Sequence, residues 1–186
     1  MSVFINKFNI FQLINYLYPN AIVTCSPEGT ATQQFSSLVW RDSEVVPPYE
    51  NPNPKPTQLE LENKWDECYI YLKRKEMVEK LKLKREQIVE GAVIYNSVTY
   101  NSTNEERNRL REAALNGDGI WEVTDIDGIK RTLCLADIQA IVSLYIKLRR
   151  EADINYFAIQ TNINNSSDPE TVDIDVGWPV IPYQTM

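Results

Sequence analysis

Asp125-Ile-Asp127-Gly128 and Asp173-Ile-Asp175 are two places where alternating carboxylates stand closely enough to hold a hard cation or to divide acid and base roles. The first opens like a calcium loop, with alternating Asp and a Gly for the turn. An EF-hand closes with an acid at its twelfth position, and here that position is Ala136. A hairpin turn accounts for the run better. The second cluster alternates with Val172, Ile174 and Val176, which predicts a strand with both carboxylates on one exposed face. The chain has no histidine, so it lacks the commonest general base, the commonest metal ligand and the usual pH switch. Cys25, Cys68 and Cys134 are scattered, without C-x-x-C spacing, and suit reduced, partly buried thiols rather than a disulfide framework. Neither a phosphate-cradling glycine loop nor a G-x-S-x-G elbow is present. No catalytic residue, metal or cofactor is assigned, and the expectation is a protein that is not an enzyme.

The balance of charge points the same way. The net charge is -7, and such an acidic chain is a poor match for phosphate backbones, so no nucleic acid is expected as a partner. The one dense basic stretch, Lys73 to Arg85, is interleaved with Glu76 and Glu79 and reads as a solvated helix face. Arg107, Arg109 and Arg111 could grip an acidic surface, but pairing with Glu105, Glu106 and Glu112 on an exposed helix is the simpler account. No apolar run of 18 residues exists, so no membrane partner is expected, and the N-terminus reads as mature protein.

These residues need elements to hold them. Phe4, Phe8, Phe11, Leu13, Ile14 and Leu17 have broadly helical spacing and predict a short helix that stops before Pro19. Ala21 to Cys25 and Ala31 to Trp40 read as two strands around the Ser26–Gly29 turn. Residues 47–56 belong to a run with five prolines and form an extended spacer. Thr57 and Glu60 make a capping box for a helix from about Gln58 to Val89, roughly 45–50 Å long. Leu61, Trp65, Cys68 and Leu72 form a stripe that Met77, Leu81 and Ile88 continue after a slip of register. That stripe suits a seam with another helix, by self-association or partner docking. It is also compatible with a first half packed on the N-terminal unit and a second half exposed as a stalk.

Beyond Glu90 two hairpin signals flank a capped helix. Val93 to Tyr100 turns at Asn96-Ser97, Thr103 to Asn116 is the helix, and Ile120 to Leu133 turns at Asp127-Gly128. Asn116-Gly117 suits a left-handed helix cap. A second long helix follows from about Ala136 to Asn162, with Ile138, Ile141, Val142, Tyr145, Leu148 and Ala152 on its inner face. Asp168-Pro169-Glu170 begins a short turn, and an apolar, proline-punctuated tail closes the chain. Trp178 and Tyr183 in that tail, with Trp65, Leu72, Met77 and Leu81 on the first long helix, are the candidate partner-binding residues.

Two sets of motifs resemble known types. Tyr95-Asn-Ser-Val-Thr-Tyr100, Glu106-Arg107-Asn-Arg109, Trp121 with Asp125-Ile-Asp127, Leu133 to Ile141 and Gly177-Trp178-Pro179 resemble an uncharacterised domain found beside tail-fibre genes in bacteriophages and prophages. Asn15-Tyr-Leu-Tyr-Pro19-Asn20-Ala21, Trp40 and Pro56-Thr57-Gln-Leu-Glu60-Leu61 resemble the small XkdW-like prophage tail proteins, across about residues 10 to 72. Neither type supplies a catalytic residue.

The expectation is therefore an α+β protein. It has an α-β-β N-terminal unit (1–46), a proline spacer (47–56), a long connecting helix (57–90) and a hairpin–helix–hairpin–long-helix C-terminal unit (91–186). The resemblances imply a tail-fibre assembly chaperone or accessory protein that binds the fibre or the baseplate, in three copies if the fibre is a trimer. They place it in the host cytoplasm during assembly. A permanent fibre or baseplate adaptor in the virion tail is the alternative, and a carboxylate-dependent cell-wall hydrolase is a more distant one.

Overall fold

The computed structural model describes residues 4–40, 55–117 and 120–180. It is α+β, as expected, with two long helices, three shorter ones and three two-stranded antiparallel sheets among the described residues. The chain divides into two compact units, Met1–Lys75 and Glu76–Met186. That division falls inside the first long helix, which the sequence had suggested was a connector between units. Most of the proline spacer lies outside the described residues.

In the first unit a 3-10 turn, Ile5–Lys7, precedes helix α1, Ile10–Leu17. Asn9 starts α1 by accepting a hydrogen bond from the Gln12 amide at 3.0 Å, and Tyr18 ends it just before Pro19. The rest of this unit departs from the expected α-β-β order. Strand β1 is Val23–Thr24, helix α2 is Ala31–Ser36, and strand β2 is Val39–Trp40, paired antiparallel with β1. Residues 31–36 are helical because Thr30 and Gln33 form a capping box. The Thr30 amide donates to Gln33 Oε1 at 2.7 Å and the Gln33 amide to Thr30 Oγ1 at 3.3 Å. Gln34 fixes the choice from inside. It is buried, accepts from the Ile10 amide at 2.9 Å and donates to the Phe8 and Gly29 carbonyls at 2.8 and 2.9 Å. A strand would turn that side chain away from three backbone partners, two of them in a buried site.

Helix α3, Gln58–Val89, has the expected span and cap, with the Thr57 amide donating to Glu60 Oε2 at 2.7 Å. Its first half completes the first core. Leu61, Trp65 and Cys68 are buried against Phe8, Ile10, Leu13, Ile14 and Leu38, and the Trp65 indole N–H donates to the Phe4 carbonyl at 2.9 Å. Burying each large apolar side chain of this set contributes roughly 1.5–3 kcal/mol.

The second unit holds the rest of α3. Strands β3, Ala92–Tyr95, and β4, Val98–Asn101, form a hairpin whose turn residues have φ of 50° at Asn96 and 62° at Ser97. That is the left-handed pair the Asn-Ser signal requires. Helix α4, Asn104–Asn116, is capped by Thr103 and ends on left-handed Gly117, as expected. Strands β5, Trp121–Thr124, and β6, Lys130–Leu133, form the second hairpin. Its turn is longer than an Asp-Gly pair suggests. The Asp125 amide donates to Ile129 O at 2.9 Å and the Gly128 amide to Asp125 O at 3.1 Å, with only Gly128 at positive φ (80°). The loop between Asp125 and Ile129 is thus three residues, the third of them a left-handed glycine, a common hairpin alternative.

Helix α5, Leu135–Asn165, spans the unit, and a 3-10 turn, Pro169–Thr171, follows it. Ile138, Ile141, Tyr145 and Leu148 pack with Val93, Tyr100, Leu110, Val123 and Leu133. Farther along, Tyr156, Ile159 and Ile163 pack with Met77 and Leu81 of α3, and Val172, Ile174 and Trp178 cover that cluster. Residues 172–176 are not the strand their alternation suggested. The Asp175 amide donates to Asp173 Oδ1 at 2.8 Å, which curls the backbone, and Gly177 at φ 76° turns it again.

A candidate docking groove on helices α4 and α5

The carboxylate clusters are structural. Asp125 is only 5% exposed. Its Oδ1 accepts from the Asp127 and Ile129 amides at 3.1 and 2.8 Å, and its Oδ2 from Arg131 Nε at 2.9 Å. Burial pushes this carboxyl up, but the Ile129 amide, the Arg131 guanidinium and the Asp127 amide together hold it below the usual carboxylate range. In the other cluster Asp175 pairs with Lys84 at 2.9 Å. Asp125, Asp173 and Asp175 are thus each committed to a turn or an ion pair of their own unit.

The candidate anchors on α3 are not on the surface. Trp65 and Leu81 have no exposed area, Met77 is 8% exposed, and Leu72 is half-buried against the first core. No other chain can reach Trp65 or Leu81 without opening the unit that contains it. The seam that the α3 stripe suggested is therefore filled by this chain itself: the first half packs on α1 and the second on α5. The second half is not an exposed stalk. Trp178 is half-buried, with its indole N–H on the Ile174 carbonyl at 2.8 Å, and Tyr183 lies outside the described residues.

The surface that does present interface chemistry lies elsewhere. Helices α4 and α5 pack together and leave a groove of about 470 Å³. Asn104, Arg107, Asn108 and Arg111 form one wall; Val142, Ile146, Arg149, Arg150, Ile154 and Phe157 form the other. Tyr145 is buried at its base and donates to the Asn101 carbonyl at 2.7 Å. Ile146, Ile154 and Phe157 are 56%, 61% and 61% exposed. At roughly 100° per residue, Ile146, Arg150, Ile154 and Phe157 fall within about 80° of one another, so they make one continuous stripe.

Four guanidinium groups border this stripe against one carboxylate, Asp153, which Arg85 and Arg149 already hold at 2.6 and 4.0 Å. Arg111 and Arg150 make no ion pair among the described residues. Arg107 is tied down from behind: its Nη1 donates to the carbonyls of Val89, at 2.6 Å, and Ser102. It is thus not the solvated, ion-paired residue its neighbours suggested, whereas Arg109 does pair with Glu106 at 2.8 Å. Burial lowers the Arg107 pKa; Glu90 opposes the shift, and Arg149 and Arg85 add to it. Its normal value is high enough that it keeps its charge.

The groove was missed from sequence because α5 carries two apolar stripes rather than one. The inner face accounts for Ile138, Ile141, Tyr145, Leu148 and Ala152, while Ile146, Ile154 and Phe157 sit on the other side at i, i+8 and i+11. That second spacing was the available signal. Aromatic and aliphatic groups exposed among arginines are the composition of protein interfaces rather than of solvated helix faces.

Among the described residues no helix is long and apolar enough to cross a membrane. The chain matches no family model, and no curated protein or solved structure matches it.

Proposed function

We propose that this chain is a non-enzymatic protein associated with a bacteriophage or prophage tail fibre, binding the fibre or its baseplate end and assisting assembly or attachment. The observation that carries the reading is the α4–α5 groove, where Ile146, Ile154 and Phe157 stand exposed among arginines. An apolar stripe of this kind gains free energy when another polypeptide covers it. The commitment of Asp125 to its own turn also supports a binding role over carboxylate hydrolysis. The tail-fibre identity comes from the two motif resemblances, one in each half of the chain.

Co-expression with the neighbouring fibre gene tests it. A complex that co-elutes, or a marked gain in soluble fibre, is the expected result, with three copies per fibre trimer. No complex together with unchanged fibre solubility rejects the reading. Mass spectrometry of purified particles then separates a departing chaperone from a retained adaptor, since only the latter is present in stoichiometric amount.

A further inference from the structure

We infer that the α4–α5 groove takes an acidic amphipathic helix of a partner protein, laid along α5 with its apolar face on Ile146, Ile154 and Phe157. This rests on the reading of the groove as a docking surface and adds the chemistry of its occupant. Charge complementarity carries the choice. The chain as a whole has a net charge of -7, yet this groove concentrates Arg107, Arg111, Arg149 and Arg150 around one already engaged acid. An occupant of matching sign is anionic on its flanks and apolar between them.

Shape narrows the occupant further. Residues 142 to 157 of α5 line the groove, and at 1.5 Å per residue they run for roughly 22 Å. A partner helix of about 15 residues has that length and would present its i, i+3, i+4, i+7 positions to the stripe. A concave site between two helices suits a rod better than the flat surface of a bilayer. Nucleic acid would meet Arg side chains but would leave the aliphatic stripe poorly covered, because only Phe157 offers a ring on which a base stacks.

The test uses the full chain and a fluorescently labelled designed peptide of about 15 residues, with Leu at the four anchor spacings and Glu on both flanks. Its comparison peptide carries Lys at each Glu position. Anisotropy titration is expected to show micromolar binding of the acidic peptide, weakened at least ~10-fold by the Lys exchange and reduced by added salt. The exposed pair Arg150→Glu and Ile154→Asp lowers affinity at least ~10-fold, whereas Lys130→Glu on the hairpin, a charge reversal of the same size as Arg150→Glu, leaves it within about twofold. Equal binding of both peptides, no binding of the acidic one up to about 1 mM, or no effect of the groove pair overturns the inference. Tighter binding to a single-stranded oligonucleotide or to phosphatidylserine vesicles also overturns it, as does self-association that the groove pair abolishes. A fibre complex that survives the groove pair leaves the tail-fibre reading standing without the groove. Peptide binding without a fibre complex leaves the groove standing without the fibre.

Discussion

Arg107 on α4 donates through Nη1 to the Val89 carbonyl at 2.6 Å, joining the last residue of α3 to the first turns of α4. Ser102 adds a second tie, with its hydroxyl on the same carbonyl at 3.0 Å and its amide on the Gly91 carbonyl at 2.8 Å. The end of a helix leaves carbonyls without partners, and here the next helix supplies one. Because Arg107 also lines the groove, its wall is held in place by the same bond that closes α3.

Arg107→Ala should therefore destabilise the second unit by about 1–3 kcal/mol, because the Ser102 carbonyl loses its charged donor and the Val89 carbonyl keeps only the Ser102 hydroxyl. Arg107→Lys should recover only part of that, since an ammonium cannot reproduce a planar fork. Urea unfolding followed by circular dichroism measures both. An Ala variant as stable as the parent would show the Val89 bond to be incidental.

Trp65 and Leu81 distinguish a core role from a docking role. Both side chains are fully buried, in different units. Trp65→Ala should cost about 3–5 kcal/mol and Leu81→Ala about 2–5 kcal/mol, through lost burial and the cavities left behind. Ile154→Asp, on the surface, should cost less than about 0.5 kcal/mol. The reverse order, with Trp65→Ala stable but partner binding lost, would restore the α3 stripe as an interface.

The three thiols should separate by accessibility. Cys134 is exposed, Cys25 is half-buried with its pKa raised by burial, and Cys68 is buried, its pKa pushed up to about 12 by burial and by Glu67. Thiolate is the reactive form, so both burial and protonation protect Cys68. A colorimetric thiol titration of native protein should count one fast thiol, one slow thiol and a third released only by denaturant. Cys134→Ser should remove the fast phase alone.

The parts of the fold legible in the sequence are those fixed by local rules. Thr57-x-x-Glu60 marked the start of α3, Asn96-Ser97 the first hairpin, and Gly117 the end of α4, because each is set by backbone needs within four residues. Residues 31–36 were misread as strand because the local Thr30-x-x-Gln33 cap was passed over and the contact that reinforces it is long-range. Gln34 bonds to Phe8 and Ile10, more than twenty positions away, and a propensity reading does not see that. The α3 stripe was seen correctly as amphipathic, but amphipathicity names a buried face and not what buries it. Nearby helices α1 and α5 do so. The groove escaped notice for the complementary reason: the inner stripe of α5 accounts for its helical pattern, and Ile146, Ile154 and Phe157, on the opposite side, carry no local signal of exposure.

Acid should unfold the second unit in a way that Asp125 reports. In the folded chain its carboxyl lies below the ordinary value of 3.8, because the Ile129 and Asp127 amides and Arg131 outweigh the upward push of burial. Asp137 is also lowered, by hydrogen bonds from Cys134 and Tyr95. A depressed folded pKa means that the unfolded chain binds more protons between the two values. The stabilisation is therefore complete above the unfolded pKa and is lost as pH falls through the folded one. Denaturant midpoints should hold steady from about pH 7 to 5 and drop below about pH 4. Asp125→Asn should be less stable than the parent at neutral pH, leaving Arg131 without its partner, and the gap should narrow as acid protonates Asp125 in the parent. A gap that stays constant down to about pH 2 would mean that the carboxylate charge contributes nothing to the hairpin and that its shape alone matters.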